Sequence, residues 1–132
     1  MYKIQTARHG FTLTFAGTLY SEELRHWLEE SERALAKCTE PFGVIVDMRN
    51  SLPLGPEARA LILQGQQLYR KAGLMRSAVI LKSSSTARQF RQLAKDSLIY
   101  KNERYFDASR DENCVLHALD WVMSQVDPEE QK

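Results

Sequence analysis

Apolar and polar positions alternate along this chain at two different periods. A period of two governs residues 2–8 and 11–16, where Phe11, Leu13 and Phe15 alternate with Thr12 and Thr14, as in strands with unequal faces. His9-Gly10 between them supplies the positive-φ chemistry of a two-residue turn, so the chain is expected to open with a β-hairpin broken after Gly17. The period then lengthens. Ser21 stands as an N-cap before Glu22 and Glu23, and Leu24, Trp27, Leu28, Ala34, Leu35 and Cys38 recur at helical spacing. Cys38 is expected on the apolar side of that helix, as a reduced core thiol.

After Pro41, residues 42–48 form an apolar run closed by Asp47 and Met48, which predicts a strand buried on both faces. A loop with Pro53 and Gly55 follows, and Pro56 suits a first helical position. Ala58, Leu61, Ile62, Gly65, Leu68, Tyr69 and Ala72 make the next helical stripe, stopped by Gly73. Gly65 inside that stripe predicts close backbone approach to the sheet. Residues 74–81 return to a strand. The cluster Ser83, Ser84, Ser85, Thr86 opens a helix expected over 86–100 and carrying Phe90, Leu93, Ala94 and Leu98. A short strand at 103–106 precedes a last helix, capped by Asp111, whose Val115, Ala118, Leu119, Val122 and Val126 are expected to face the core. The tail from Asp127 is polar.

The predicted order is β-β-α-β-α-β-α-β-α, an α/β fold with a mostly parallel sheet and one antiparallel strand from the hairpin. The 132 residues fit a single domain, 1–132. A net charge of +1 gives no global field for nucleic acid or an anionic membrane, so a dedicated nucleic-acid binder is disfavoured. The first ten residues lack the apolar core of a signal peptide, and no apolar run is long enough to form a transmembrane segment, so the expected location is cytoplasmic. Cys38 and Cys114 belong to no CxxC pair and neither has a histidine at metal-ligand spacing, so no metal and no cofactor is expected.

Candidate chemistry gathers after the run at 42–48. Asp47 reads first as a carboxylate that organises the loop and second as a catalytic or ligand-binding group. Arg49, Asn50 and Ser51 either surround a ligand there or solvate the loop, and Leu52 and Leu54 either pack on the core or dock a partner. Lys82 with Ser83, Ser84 and Ser85 sits where a strand feeds a helix; the cluster offers an anion site or simply an N-cap. Arg88, Arg91 and Lys95 form a basic helix edge. His9, His26 and His117 are scattered, and no GxSxG elbow, GxxxxGK[ST] or GxGxxG element is present, so an enzyme is not expected.

Several segments together carry a resemblance. Residues 13–30, LTFAGTLYSEELRHWLEE, with Gly17 and Leu19 in a G-x-L pattern, VIVDMRN from Val44, MRSAVIL from Met75, NERYFD from Asn102 and ALDWV from Ala118 resemble the STAS superfamily, in its SpoIIAA-like branch of small bacterial proteins with the anti-sigma-factor antagonist fold. The resemblance covers nearly the whole chain. It implies a regulatory role through protein-protein contact. In the sporulation-type antagonists the loop after the matching aspartate ends in a D-S-S-G-like element whose serine is phosphorylated by a partner kinase. Here the corresponding positions read Gly55, Pro56, Glu57 and Ala58, without a hydroxyl, and Ser51 lies several residues early. The expected function is therefore a non-catalytic regulatory or protein-interaction module without the phosphoacceptor serine. It would act on a protein partner and form a homodimer. The alternative is a domain binding a small-molecule or lipid-type ligand in a pocket at the strand ends.

Overall fold

Each strand pairs with the strand that precedes it in the chain, giving one five-stranded sheet in the order β1-β2-β3-β4-β5. The computed structural model describes residues 1–96 and 100–131. The strands are β1 (Tyr2–Ala7), β2 (Gly10–Gly17), β3 (Phe42–Ser51), β4 (Leu74–Leu81) and β5 (Glu103–Asp107). The helices are α1 (Ser21–Leu35), α2 (Pro56–Lys71), α3 (Ser84–Asp96) and α4 (Cys114–Ser124), with short 3₁₀ turns at Tyr100–Asn102 and Pro128–Gln131. Only β1 runs antiparallel to its neighbour. The predicted order and the mostly parallel architecture are what the chain adopts.

Alternation along the strands splits the interior in two. Phe11, Leu13, Phe15, Val44, Met48, Val79 and Leu81 pack with Leu24, Trp27 and Leu35 of α1, Ala58, Ile62 and Tyr69 of α2, and Phe90 and Leu93 of α3. Their neighbours Ile45, Ala78, Ile80 and Phe106 pack on the opposite side against Cys114, Ala118, Trp121 and Val122 of α4. Three helices thus cover one sheet face and α4 covers the other. The guanidinium of Arg76 in β4 anchors α4, donating from Nε to the Trp121 carbonyl at 3.0 Å and from Nη2 to that of Val122 at 3.1 Å. Arg104 of β5 lies 4.7 Å above the Trp121 ring and binds Asp127 through Nε and Nη2, a cation over an aromatic face.

Several local expectations are corrected. The hairpin turn is Arg8-His9, with Ala7 opposite Gly10. Gly10 is required instead by the approach of β3: its φ is +141°, and a Cβ there would lie 2.3 Å from the Gly43 carbonyl oxygen. The residue before α1 is Tyr20, and Ser21 is the first helical residue rather than a side-chain cap. Cys38 lies beyond α1 and is only partly buried against the core. Gly65 admits an indole rather than the sheet, since its Cβ would fall 2.1 Å from Trp27 Cη2. The cap of α3 is Ser83, whose Oγ accepts from the Thr86 amide at 3.2 Å. The expected Leu98 lies outside the described residues. Asp111 is not the cap of α4; it braces the preceding turn by accepting from the Asn113 amide at 2.9 Å. Val115 and Val126 face solvent, while Cys114 and Trp121 take the buried positions.

Candidate functional site

Because β3 runs on to Ser51, Asp47, Arg49 and Asn50 belong to a strand and not to a free loop. Thr14 pairs with Asp47 while Ala16 pairs with Asn50, so β3 carries one extra residue there, a bulge of the kind that re-aims side chains at the rim of a sheet. Asp47 follows Ile45 onto the α4 side, and Arg49 folds back on it. Arg49 Nε donates to Asp47 Oδ1 at 3.0 Å, Nη2 to Oδ2 at 2.7 Å, and the Arg49 amide also to Oδ1 at 3.1 Å. Burial opposes ionisation of Asp47, but these Arg49 bonds outweigh it and hold the carboxyl below its usual range. Such a carboxylate is a poor proton acceptor near neutrality, and its bonds brace the bulged end of β3.

The stabilising pair titrates in a definite direction. With the folded pKa depressed, the pair contributes fully above the unfolded value near 3.8 and is lost as pH falls through the folded one. Asp47→Asn is expected to lower stability by about 1 kcal/mol at pH 7, for a half-exposed charge-assisted pair. The difference from wild type should shrink in urea titrations taken toward pH 3.

At this end of the sheet Arg49 and Asn50 meet Lys82 from the end of β4 and Ala108, Asp111, Glu112 and Cys114 from the β5–α4 connection around an open depression of about 260 Å³. The other expected residues divide. Ser51 bonds the Met48 carbonyl at 3.2 Å. Leu52 is 54% exposed, on a loop held by its amide to the Gly17 carbonyl at 3.0 Å. Leu54 is core, not surface: it packs in the three-helix cluster and its carbonyl accepts from Gln89, so it is unavailable to a partner. Ser83, Ser84 and Ser85 do not line the depression. Ser83 Oγ is engaged as the α3 cap and lies 2.9 Å from Ser85 Oγ.

Nucleophilic chemistry is poorly served here. Cys114 begins α4 near Arg49, and Asp111 binds His117 Nδ1, a trio that resembles Cys-His-Asp in composition. The Cys114 thiol, however, is 2% exposed, and burial raises its pKa despite the Arg49 charge. Cys114 packs in the core while His117 is exposed. His9 lies at the opposite end of the sheet, and His26 is exposed on α1. Among the described residues no cluster of three metal-ligating side chains occurs.

One polar cluster has no forewarning in the sequence. Glu103 of β5, 3% exposed, pairs in register with Ser77 of β4. Ser77 Oγ donates to its Oε1 at 2.8 Å, and Tyr105 Oη lies 2.6 Å from its Oε2 and 3.1 Å from the Phe90 carbonyl oxygen. Burial raises the Glu103 pKa against the pull of these two hydroxyls. The acid lines an apolar cavity of about 50 Å³ among Phe15, Trp27, Met48, Ile62 and Phe90. Only the spatial neighbourhood of two strands a helix apart brings Ser77 to Glu103, so no local pattern could have marked the pair.

Comparison with solved structures gives the fold a counterpart. An uncharacterized protein of the DUF3478 family from Shewanella loihica PV-4, described as having a SpoIIAA-like fold, superposes with a TM-score of 0.65 over 92% of each chain, at 20% sequence identity. The chain therefore has a SpoIIAA-like fold. No protein-family model and no curated protein matches it. No helix among the described residues is long and apolar enough to cross a membrane.

Proposed function

We propose that the protein is a non-catalytic regulatory or protein-interaction module that contacts its partner through the carboxyl end of the sheet, without a phosphoacceptor serine. The observation that carries this reading is Leu52. A large apolar side chain stands 54% exposed on a loop pinned to β2, two residues after Asn50, which lines the polar depression with Arg49 and Lys82, an apolar anchor at the same end of the sheet as polar groups. The partly buried Asp47 nearby is engaged by Arg49. At the start of α2, where the resembling family carries its serine, Gly55, Pro56, Glu57 and Ala58 provide no hydroxyl.

Strand order and cavity size weigh against the carrier alternative. In open α/β sheets ligands settle where the strand order reverses, and here the order never does. The depression at the strand ends measures about 260 Å³ and the apolar cavity beside Glu103 about 50 Å³, whereas small-molecule pockets run to roughly 300–1,000 Å³.

Native mass spectrometry of the protein drawn from its own cells tests the reading. A stoichiometric protein partner is expected on the wild type and is expected to be lost from Leu52→Asp, whose exposed position leaves folding intact. A chain that carries instead a small molecule, retained equally by the variant, would replace this reading with the carrier.

A further inference from the structure

We propose that the outward face of α4 is a second docking surface, shaped for a basic amphipathic helix of a partner protein. The proposal rests on the interaction-module reading and adds to it a separate surface and a partner chemistry. The inward face of α4 already uses Cys114, Ala118, Trp121 and Val122 for the core, yet the helix is apolar on its outside too. Leu116 is 61% exposed and Met123 49%. Seven residues apart, they lie two turns along one side of the helix, with Leu119 nearby and Val115 and Val126 exposed at the ends. Nothing in the fold needs this row.

Charge selects the occupant. A groove of about 450 Å³ runs beside the row, lined among others by Phe106, Asp107, Asp111, His117, Asp120 and Val126. Asp127 and Glu129 flank its Pro128 end in sequence, both within 4.0 Å of Arg104. The nearby guanidiniums are Arg104, bound to Asp127, and Arg110, 3.8 Å from Asp107. Three aspartates, Asp107, Asp111 and Asp120, thus share the groove with one arginine, a local acidic excess in a chain that is +1 as a whole. Two copies meeting through α4 would bring acid against acid, at a cost that grows as the face is desolvated. An anionic bilayer is repelled for the same reason. The chain's own basic edge on α3, with Arg88 and Lys95 exposed, is flanked by exposed Ser84, Ser85, Gln92 and Asp96, so it offers no apolar row to bury against Leu116 and Met123. A helix with apolar residues on one face and Lys or Arg along its flank satisfies the row and the groove together.

The probe is a labelled synthetic helix with leucine at helical spacing and lysine elsewhere, titrated with the full chain and followed by anisotropy. Saturable one-to-one binding that weakens with salt is expected. The double variant Leu116→Ser with Met123→Ser should bind about tenfold or more weakly with an unchanged melting temperature, Asp120→Asn should flatten the salt dependence, and Leu52→Asp should bind as wild type. Equal binding by the double variant, equal binding of a peptide with glutamate in place of lysine, or preference for phosphatidylglycerol vesicles would overturn the proposal. So would a dimer in sedimentation that Leu116→Ser dissolves. Loss of peptide binding in Leu52→Asp alone would move the site to the β3–α2 loop, removing this proposal while leaving the interaction module standing.

Discussion

Gly65→Ala destabilises the fold by about 1–3 kcal/mol, the range for overpacking a filled core. The opposite sign is what helix propensity alone dictates, because alanine in a helix interior gains about 1 kcal/mol over glycine. Packing decides. The new methyl would lie 2.1 Å from Trp27 Cη2 and 2.4 Å from Cζ3, so the ring would have to shift against its aromatic neighbours. Phe15 meets it edge-on at 5.2 Å, Tyr69 stacks on it at 6.1 Å, and the residue is 3% exposed. Trp27→Phe shortens the ring where the clash occurs. On its own Trp27→Phe costs stability through the void it leaves. Combined with Gly65→Ala, the loss should be smaller than the sum of the two single losses by about 1 kcal/mol or more, a coupling expected of residues in direct contact. Urea unfolding of the four proteins measures it; additive losses, or a Gly65→Ala protein more stable than wild type, would show that the contact does not constrain the helix pair.

Glu103 should govern how stability changes above pH 4.5. Its folded pKa is raised by burial, so the native chain holds a proton that the unfolded chain has released. Stability from this group is fully present below the unfolded value of about 4.5 and is lost as pH rises through the folded value. Asp47, Asp111 and Asp127 are depressed and act in the reverse sense at lower pH, so the informative quantity is the difference between wild type and Glu103→Gln. Glutamine keeps the shape and polarity of the neutral acid and cannot ionise. The two proteins should match in acid, and the variant should gain on wild type as pH rises. Glu103→Leu should instead lose about 1–3 kcal/mol at every pH for the Ser77 hydroxyl, which gives up its bond to the carboxyl, while Tyr105 keeps the Phe90 carbonyl. Parallel stability curves for wild type and Glu103→Gln would mean that the acid is ionised in the fold.

What the sequence disclosed follows the range of the interactions involved. Strands and helices along 2–96 announce themselves through local period, turn residues and Pro56, and the order of elements follows. The α4 segment, CVLHALDWVMS, is apolar nearly all round, so period alone could not phase it. Its rotation depends on Arg76 and Arg104 gripping Trp121 from other strands. For the same reason the pattern points Val115 and Val126 inward and passes over Trp121, whereas the fold buries Trp121 and exposes both valines. In the candidate site, Asp47, Arg49, Asn50 and Lys82 were legible because they end a recognisable strand or follow one. Leu54 stayed open between core and docking because only the packing of α3 over the loop makes it core. Ser77 and Glu103 meet through a strand pairing that no window along the chain contains.

The unbroken strand order also bears on how the chain acquires its shape. Since every strand docks beside the one made just before it, the sheet can grow in the direction of synthesis without any strand having to wedge between two that are already paired. Its second face is different. Ile45, Ala78, Ile80 and Phe106 have no cover until α4 arrives, so an otherwise finished sheet carries a bare apolar flank through the last step. That interval is where a nascent or clipped chain is most exposed to aggregation, and where the closing helix, rather than any strand, commits the protein to its final form.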